Sequence, residues 1–579
     1  MTEIFQYAGS SDEVKEEKRN SRVTISNFNK YLFYAIVIIS INFFFINAYG
    51  SEKIFSKGTF APYVFKNYVE KQILDSLQKN KLNDKGIIAK NSQNQISTNN
   101  VADLQKNNGT KIWYVRPINA PIHIGNGKSY ETAWRGFKRI VWGNKGVKPG
   151  DTLMVCGIHR QRLNIGVSGK KGKKIIISGE YVGDPGGISR SKGHCIFFEK
   201  KNYLEFKKLK LSGSKVGIAS YSGCNNIIVN NCSFSDFKLK GLHLYSRDPG
   251  YYVENILVKN CKFSNIGDWG NSGANSLTYA GYSRNTITEN CYFEGDGREK
   301  GVDGILIQNI VGNGSNHVIR HCVFTGHEEN SIDLKHVVES PLQEGSTKIY
   351  NNDFSKSNQL EIVLHWGTQG VNIFRNTFHD GNLGIGIVRH NKILNNNGNI
   401  IVTYNIFENL QSGLLMDSFS DGIGNSTFVN NTCKNIGANN KKNYSIQIAT
   451  NNWIIKNNIF FLLSKSKPPF CSIRFLSNVD MKTIDLDHNY HFLVKGKKVY
   501  RLPGNSKYLT IKQAEKNGIQ GEKLSINTGA DDFSTSVLRA CINKGLVIED
   551  VHPTVDIFGN QVPKCGLPDI GAYESDCSE

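Results

Sequence analysis

One short motif recurs through the middle of the chain: an apolar strand, then a polar residue that is usually Asn, then a small residue and Phe. It reads NNCSF at Asn230, KNCKF at Lys259, ENCYF at Glu289, RHCVF at Arg320, NNDF at Asn351, RNTF at Arg375, YNIF at Tyr404 and NNIF at Asn457. Aligned on Cys232, Cys261, Cys291, Cys322, Asp353, Thr377, Ile406, Thr432 and Ile459, successive copies lie 29, 30, 31, 31, 24, 29, 26 and 27 residues apart. A period of this size, filled by short strands and turns without a helical stretch, predicts a β-solenoid. Leucine-rich repeats need a different Leu and Asn spacing, and propeller blades are longer. Each coil can bury its apolar face only against its neighbours, so Phe and the small residues are expected inside and Asn is expected to bond one coil to the next.

The 579 residues exceed what one ordinary compact core requires, and the sequence divides accordingly. Residues 1–50 combine a polar tail with a targeting segment, 31–51, which reads YLFYAIVIISINFFFINAYGS and carries no charge. It is a signal peptide or a membrane anchor, and either places the bulk of the protein in an extracellular, periplasmic or cell-surface setting. Residues 51–110 are polar and Asn/Lys/Gln-rich, which predicts a stalk or linker. The solenoid and its N-terminal cap are expected over 111–493. The cap begins with a strand in KIWYVRP, continues with a short amphipathic helix in SYETAWRGFKRIVWG and enters another strand in VKPGDTLMVCG. Residues 494–579 form a C-terminal cap or a small accessory region, and the sequence leaves the oligomeric state open.

Seventy Lys and Arg against fifty Asp and Glu give a net charge of +20, which favours an anionic partner. Nucleic acid is not expected, because zinc-finger spacing, a recognition helix and RNA-binding motifs are all missing. There is likewise no phosphate-binding loop or dinucleotide fingerprint. Of the twelve cysteines, Cys232, Cys261, Cys291 and Cys322 recur at one repeat position and form either an inward column of thiols or a disulfide set. Cys541, Cys565 and Cys577 are disulfide candidates, and no Cys/His spacing suggests zinc.

A second strand precedes each motif, and these strands can be set in register: GLHLYSRD at Gly241, DGILIQNI at Asp303, NSIDLKHV at Asn330, LEIVLHWG at Leu360, LGIGIVRH at Leu383 and SGLLMDSF at Ser412. With Ile305, Ile332, Ile362 and Leu414 as one inward column, Ile307, Leu334, Leu364 and Met416 make the next. Alternation then turns Tyr245, Gln308, Lys335, His365 and Asp417 outward in one column, and His243, Leu306, Asp333, Val363 and Leu415 in another. Lys335 is thereby expected beside His365, about 4.8 Å away across adjacent strands, with Asp333 on the same side. Asp303, His327, Glu328, Glu329, His336, Glu361, Arg389 and His390 surround this pair. The carboxylates Asp303, Asp333, Glu328 and Glu329 offer oxygen ligands suited to calcium, and Lys335 and Arg389 suit an acidic sugar. His243 and Tyr245 are expected in a substrate groove or on the surface.

The repeat resembles the right-handed parallel β-helix superfamily of pectate lyases and related carbohydrate-active proteins, over roughly 111–493. The C-terminal PDIGAYE is similar to a common tail of bacterial β-helix proteins. The implied fold class is all-β, a single-stranded right-handed parallel β-helix with an N-terminal cap and a less regular C-terminal region. NSIDLKH resembles the catalytic coil of the calcium-dependent pectate lyases of polysaccharide lyase family nine. That resemblance implies Lys335 as base, with Asp303 and Asp333 as calcium ligands. A related alternative uses His365 as base or acid with Arg389 neutralising the uronate, and His336 completes the candidate catalytic set.

These residues point first to an exported polysaccharide lyase acting on an acidic polysaccharide. A long cationic groove fits a polyuronate, and β-elimination needs a base, neutralisation of the uronate carboxylate and departure of the oxygen at C4. Lysine serves as a base only if its pKa falls, and the carboxylate of Asp333 alone would raise it. A glycoside hydrolase on the same fold would need two carboxylates such as Asp303 and Asp333, or Glu328 and Glu361. A noncatalytic surface protein that binds glycan is the third class.

Overall fold

The computed structural model describes residues 110–575, apart from 122–124, 268–272, 296–301, 311–313, 339–344, 389–397, 417–424, 438–443, 462–470, 493–497, 505–507, 517–540 and 549–554. The targeting segment 31–51 and the stalk lie outside these residues. The described residues belong to one compact unit, Ile96–Glu579.

Strands from successive coils stack into three sheets of 15, 13 and 14 strands, and nearly every neighbour in a sheet is three strands away in the chain. Every coil thus gives one strand to each sheet, and the pairings between coils are parallel, for example Ile305 with Ile332, Ile332 with Ile362 and Ile362 with Ile385. Both predicted inward columns are observed and buried. Inside, Phe234, Phe263, Phe293, Phe324, Phe354, Phe378 and Phe407 stack face to face at 4.6–4.9 Å. That separation is the strand spacing itself, so one ring per coil continues a stack at no cost in backbone distortion. Burying each ring contributes about 2–3 kcal/mol before entropy is counted.

The residue before each small-residue position has a left-handed backbone, as at Asn231, Asn260, Asn290, Asn351, Asn430 and Asn457. Asn tolerates this conformation better than other residues with a Cβ, which explains its recurrence at the corner. The position after it changes character along the axis. Cys232, Cys261, Cys291 and Cys322 are buried free thiols, and Asn352, Asn376, Asn405, Asn431, Asn458 and Asn489 continue the same column as an internal ladder. Asn376 and Asn405 each accept from the backbone N–H of the preceding coil and donate to buried carbonyl groups. The alignment of Cys322 with Asp353 is therefore one residue out of register: Asn352 is its counterpart, and Asp353 pairs with Val323. The sequence alignment slipped because this copy carries Asn352 where the earlier coils carry Cys, so no Cys anchors it.

Strands Ile112–Arg116 and Thr152–Val155 form the predicted cap, but SYETAWRGFKRIVWG yields only strand Trp134–Arg135 and the three-residue 3-10 turn Phe137–Arg139 in place of an amphipathic helix. Among the described residues ten cysteines are buried and free, including Cys541, which corrects its assignment as a disulfide candidate, whereas Cys565 is disulfide-bonded. At the other end an antiparallel pair, Tyr500–Arg501 with Tyr508–Leu509, leads into the helix Ile511–Glu515. The PDIGAYE segment folds back on the solenoid: Asn430 donates to the carbonyls of Asp569 and Gly571, and Ala572 donates its N–H to Thr432.

Candidate active site

The strand Asn330–Lys335 supplies two of the predicted site residues, Asp333 and Lys335, and its neighbour Leu360–His365 supplies a third, His365. Lys335 pairs directly with His365, as alternation requires, and Gln308 precedes Lys335 in the same column. Between the two stands Asp333, only 2% exposed; one carboxylate oxygen is 2.7 Å from Lys335 Nζ and the other 2.9 Å from His365 Nδ1. A buried carboxylate is stable in this arrangement because each oxygen meets a charged or polar donor. Bonding through Nδ1 fixes the ring orientation of His365 and makes Nε2 the basic nitrogen of the tautomer that donates to Asp333.

These side chains open on a cleft of about 310 Å³ lined by Glu329, Asn330, Lys335, Gln359, Leu360, His365 and Trp366. Lys335 Nζ lies 5.0 Å from the centre of the Trp366 ring, a cation–π contact. Trp366 and His336 end their strands with left-handed backbones, φ 54° and 56°, and their rings are 5.4 Å apart. His336 packs on Trp366 without lining the cleft, and burial holds its pKa below the usual imidazole value. Trp366, Asn330, Gln359 and Leu360 were not singled out by sequence. Trp366 follows His365 directly, but which way it faces depends on a backbone conformation that alternation does not anticipate.

Strict alternation fails at one place per strand. Pairing runs from Asn330 with Leu360 to Ile332 with Ile362, skipping Ser331 and Glu361, and the residues before the skip exchange faces. Asn330 and Leu360 turn to the cleft, whereas Glu361 turns into the solenoid. There its carboxylate accepts from Ser331 Oγ at 2.6 Å and from the Ser357 N–H at 3.0 Å, and burial pushes its pKa up to about 7. His327 is inside as well, beside Phe324 and 3.3 Å from Ser331 Oγ, with burial pushing its pKa down to about 3. Gly304 has no side chain at this level because His327 fills the space. Glu361 and His327 thus leave the predicted cluster, and Glu328 and Glu361 do not face each other across a cleft as a hydrolase pair.

Asp303 makes the opposite exchange and joins the site from behind. Asn275 Nδ2 and Asn330 Nδ2 each donate to one of its oxygens at 3.0 Å. Burial, then the neighbouring Asp333 and Glu329 carboxylates, raise its pKa well above the usual range. On its far side Lys240 donates to Asn275, to Thr278 Oγ1 and to the Gly273 carbonyl, with burial lowering the ammonium to about 8.

Glu329 is raised by burial and by Asp333, against Lys335 and His365. Burial works to lower Lys335, but Asp333, and behind it Asp303 and Glu329, outweigh it and raise the pKa above the ordinary lysine value. The ammonium therefore stands where a cation bound among these carboxylates would stand.

The carboxylates considered for calcium do not form a cage. Both oxygens of Asp333 and of Asp303 are engaged by protein donors, and Glu328 accepts from Asn358 at the exposed rim. Among the described residues no group of three or more His, Cys, Asp or Glu side chains could hold a metal ion. Arg389, His390 and Asp417 lie outside the described residues.

A family model described as a right handed beta helix region matches residues 194–339, which include Asp333 and Lys335. The chain is a right-handed parallel β-helix. Among solved structures, pectate lyase Pel9A aligns at 15% identity over 81% of this β-helix chain and 97% of its own, with a TM-score of 0.37. The polysaccharide lyase of Pseudopedobacter saltans, from family PL6, aligns at 15% identity over 68% and 91%, with a TM-score of 0.39. A mannuronan C-5 epimerase A-module from Azotobacter vinelandii aligns at 12% over 62% and 92%, also at 0.39. Curated protein sequences give no match. The likeness extends to the β-helix fold and carries no more.

Proposed function

We propose that this β-helix protein is an exported polysaccharide lyase that cleaves a uronate-containing glycan by β-elimination. The observation that carries the reading is the bridge of Asp333 between His365 and Lys335 at the wall of the cleft. A base oriented by a buried carboxylate beside a fixed cation is what abstraction of a proton next to a carboxylate demands.

In this reading His365 Nε2 takes the proton from C5 of the uronate. The electron pair forms the C4–C5 double bond as the C4–O bond breaks, and the departing oxygen takes up a proton. Lys335 serves as the ammonium that meets the substrate carboxylate, because Asp333 raises its pKa and removes it from the role of base. Two of its three N–H groups can point at substrate while one stays on Asp333. Trp366 offers a flat ring against which a sugar can lie.

Incubation of the full chain with polygalacturonate, alginate and glycosaminoglycans, followed by the ultraviolet absorbance of an unsaturated sugar end, tests the proposal. A rise with one polymer that is lost in His365→Ala, with folding retained by circular dichroism, supports it. Shortened chains without unsaturation would replace it with hydrolysis, and unchanged polymers throughout would overturn it in favour of a noncatalytic binder.

A further inference from the structure

The sheet that holds Lys335 carries a second outward feature toward its N-terminal end. Phe197 and Tyr221 have ring centres 5.8 Å apart, Tyr221 and His243 5.2 Å, and His243 and Tyr245 6.1 Å, a connected run of half-buried rings across three coils. The guanidinium of Arg162 sits 5.4 Å from the Phe197 ring, and that of Arg247 sits 5.5 Å from the Tyr245 ring and donates to its hydroxyl at 2.5 Å. Among the described residues neither Arg is in an ion pair, although elsewhere on the solenoid Arg284 and Arg320 pair with Glu254 and Glu289. Burial, followed by Lys240 and His194, lowers His243 to about 3, so its ring is uncharged at neutral pH.

This run shares its strand register with the cleft residues. Tyr245 pairs with Ala280, Ala280 with Gln308 and Gln308 with Lys335, while the His243 column leads through Thr278 and Leu306 to Asp333. Three strand spacings, about 14 Å, separate Tyr245 from Lys335. We propose that these rings and the two arginines form a distal subsite that holds an anionic polysaccharide several sugars away from the reacting bond. Ring faces accept the C–H faces of sugar residues, and guanidinium groups meet uronate or sulfate oxygens. Rings inside the solenoid stack for packing alone; these lie on the outer face and carry cations, as an anionic chain requires. The inference rests on the reading of the cleft as a polyuronate site and assigns the direction in which the polymer leaves it.

Affinity electrophoresis of the full chain through polygalacturonate, alginate, hyaluronate and neutral dextran decides the matter. Retardation is expected with at least one anionic polymer and not with dextran. It is expected to weaken about tenfold in Phe197→Ala/Tyr245→Ala and in the surface variant Arg247→Glu, and to persist in His365→Ala. Equal retardation by dextran, undiminished binding by both platform variants, or no retardation by any anionic polymer would overturn the proposal. Unsaturated products measured in parallel keep the two readings apart. Platform-dependent binding without such products removes the lyase reading and leaves the subsite, whereas product formation with undiminished binding in the variants removes the subsite and leaves the lyase.

Discussion

Lys335 and His365 occupy equivalent positions in adjacent coils, yet Asp333 gives them different work. An ammonium whose pKa is raised stays charged throughout the neutral and mildly alkaline range. Lys335→Arg is therefore expected to keep measurable activity, within about a hundredfold of the parent, because Arg preserves the charge even though its fork fits differently. Complete loss in Lys335→Arg, measured by product absorbance, would instead indicate that a neutral lysine is the base. The same ion pair bears on metal dependence. With Lys335 placed among Asp303, Glu329 and Asp333, a chelator is expected to leave the initial rate unchanged, and restoration of a lost rate by added calcium would contradict that. Lys335, His365 and Asp333 were legible because strand alternation and coil length together fix their column. Trp366 was not, since a single left-handed residue at a strand end reverses a side chain without leaving a mark in the hydrophobic pattern.

At the level of the strand and the ladder, the skipped pairing at Ser331 and Glu361 separates inside from outside. Folded Glu361 keeps its proton up to about 7, whereas an ordinary glutamate releases it near 4.5. The folded state thus binds more protons between these values, and stability falls as pH rises through that window. Glu361→Gln is expected to raise the melting temperature at neutral pH and to leave it nearly unchanged at the acid end of the window, as thermal unfolding at the two pH values will show. His327 works in the other sense: an ordinary imidazole takes up a proton near 6.5 and the buried one only near 3, so its contribution is lost as pH falls below 6.5. In the Asn ladder, Asn405→Ala removes an acceptor from the Asn376 N–H and a donor to Ile373 and Thr403 carbonyls. Leaving such buried groups without partners costs about 3 kcal/mol in total, which a denaturant midpoint will register. Faces read from alternation were right for Asp333, Lys335 and His365, and Asp303 joins them as grouped, whereas Glu361 turns inward because a skipped residue inverts every position on its N-terminal side.

Across the whole molecule, the repeat sets the architecture: motif spacing dictates coil length, and coil length dictates which strands pair. The cap was less legible, since SYETAWRGFKRIVWG has helical periodicity but folds as a two-residue strand beside Ile112–Arg116 and a short 3-10 turn. The one-residue slip at Asp353 has the same origin, a local pattern read without knowing which position the next coil would contact.

A solenoid of this kind has no single centre, and its thiols record that. Cys156, Cys195, Cys224, Cys261, Cys322 and Cys471 are sealed and unbridged at successive depths along the axis. Burial raises Cys156, Cys195, Cys224 and Cys471 to about 11–12, so none of these four reacts until its own coil opens. Alkylation under mild denaturant should then mark Cys156 and Cys471, nearer the ends, before Cys261, which is flanked by folded coils on both sides. The fold carries its own set of unzipping reporters, written in sulfur along its length.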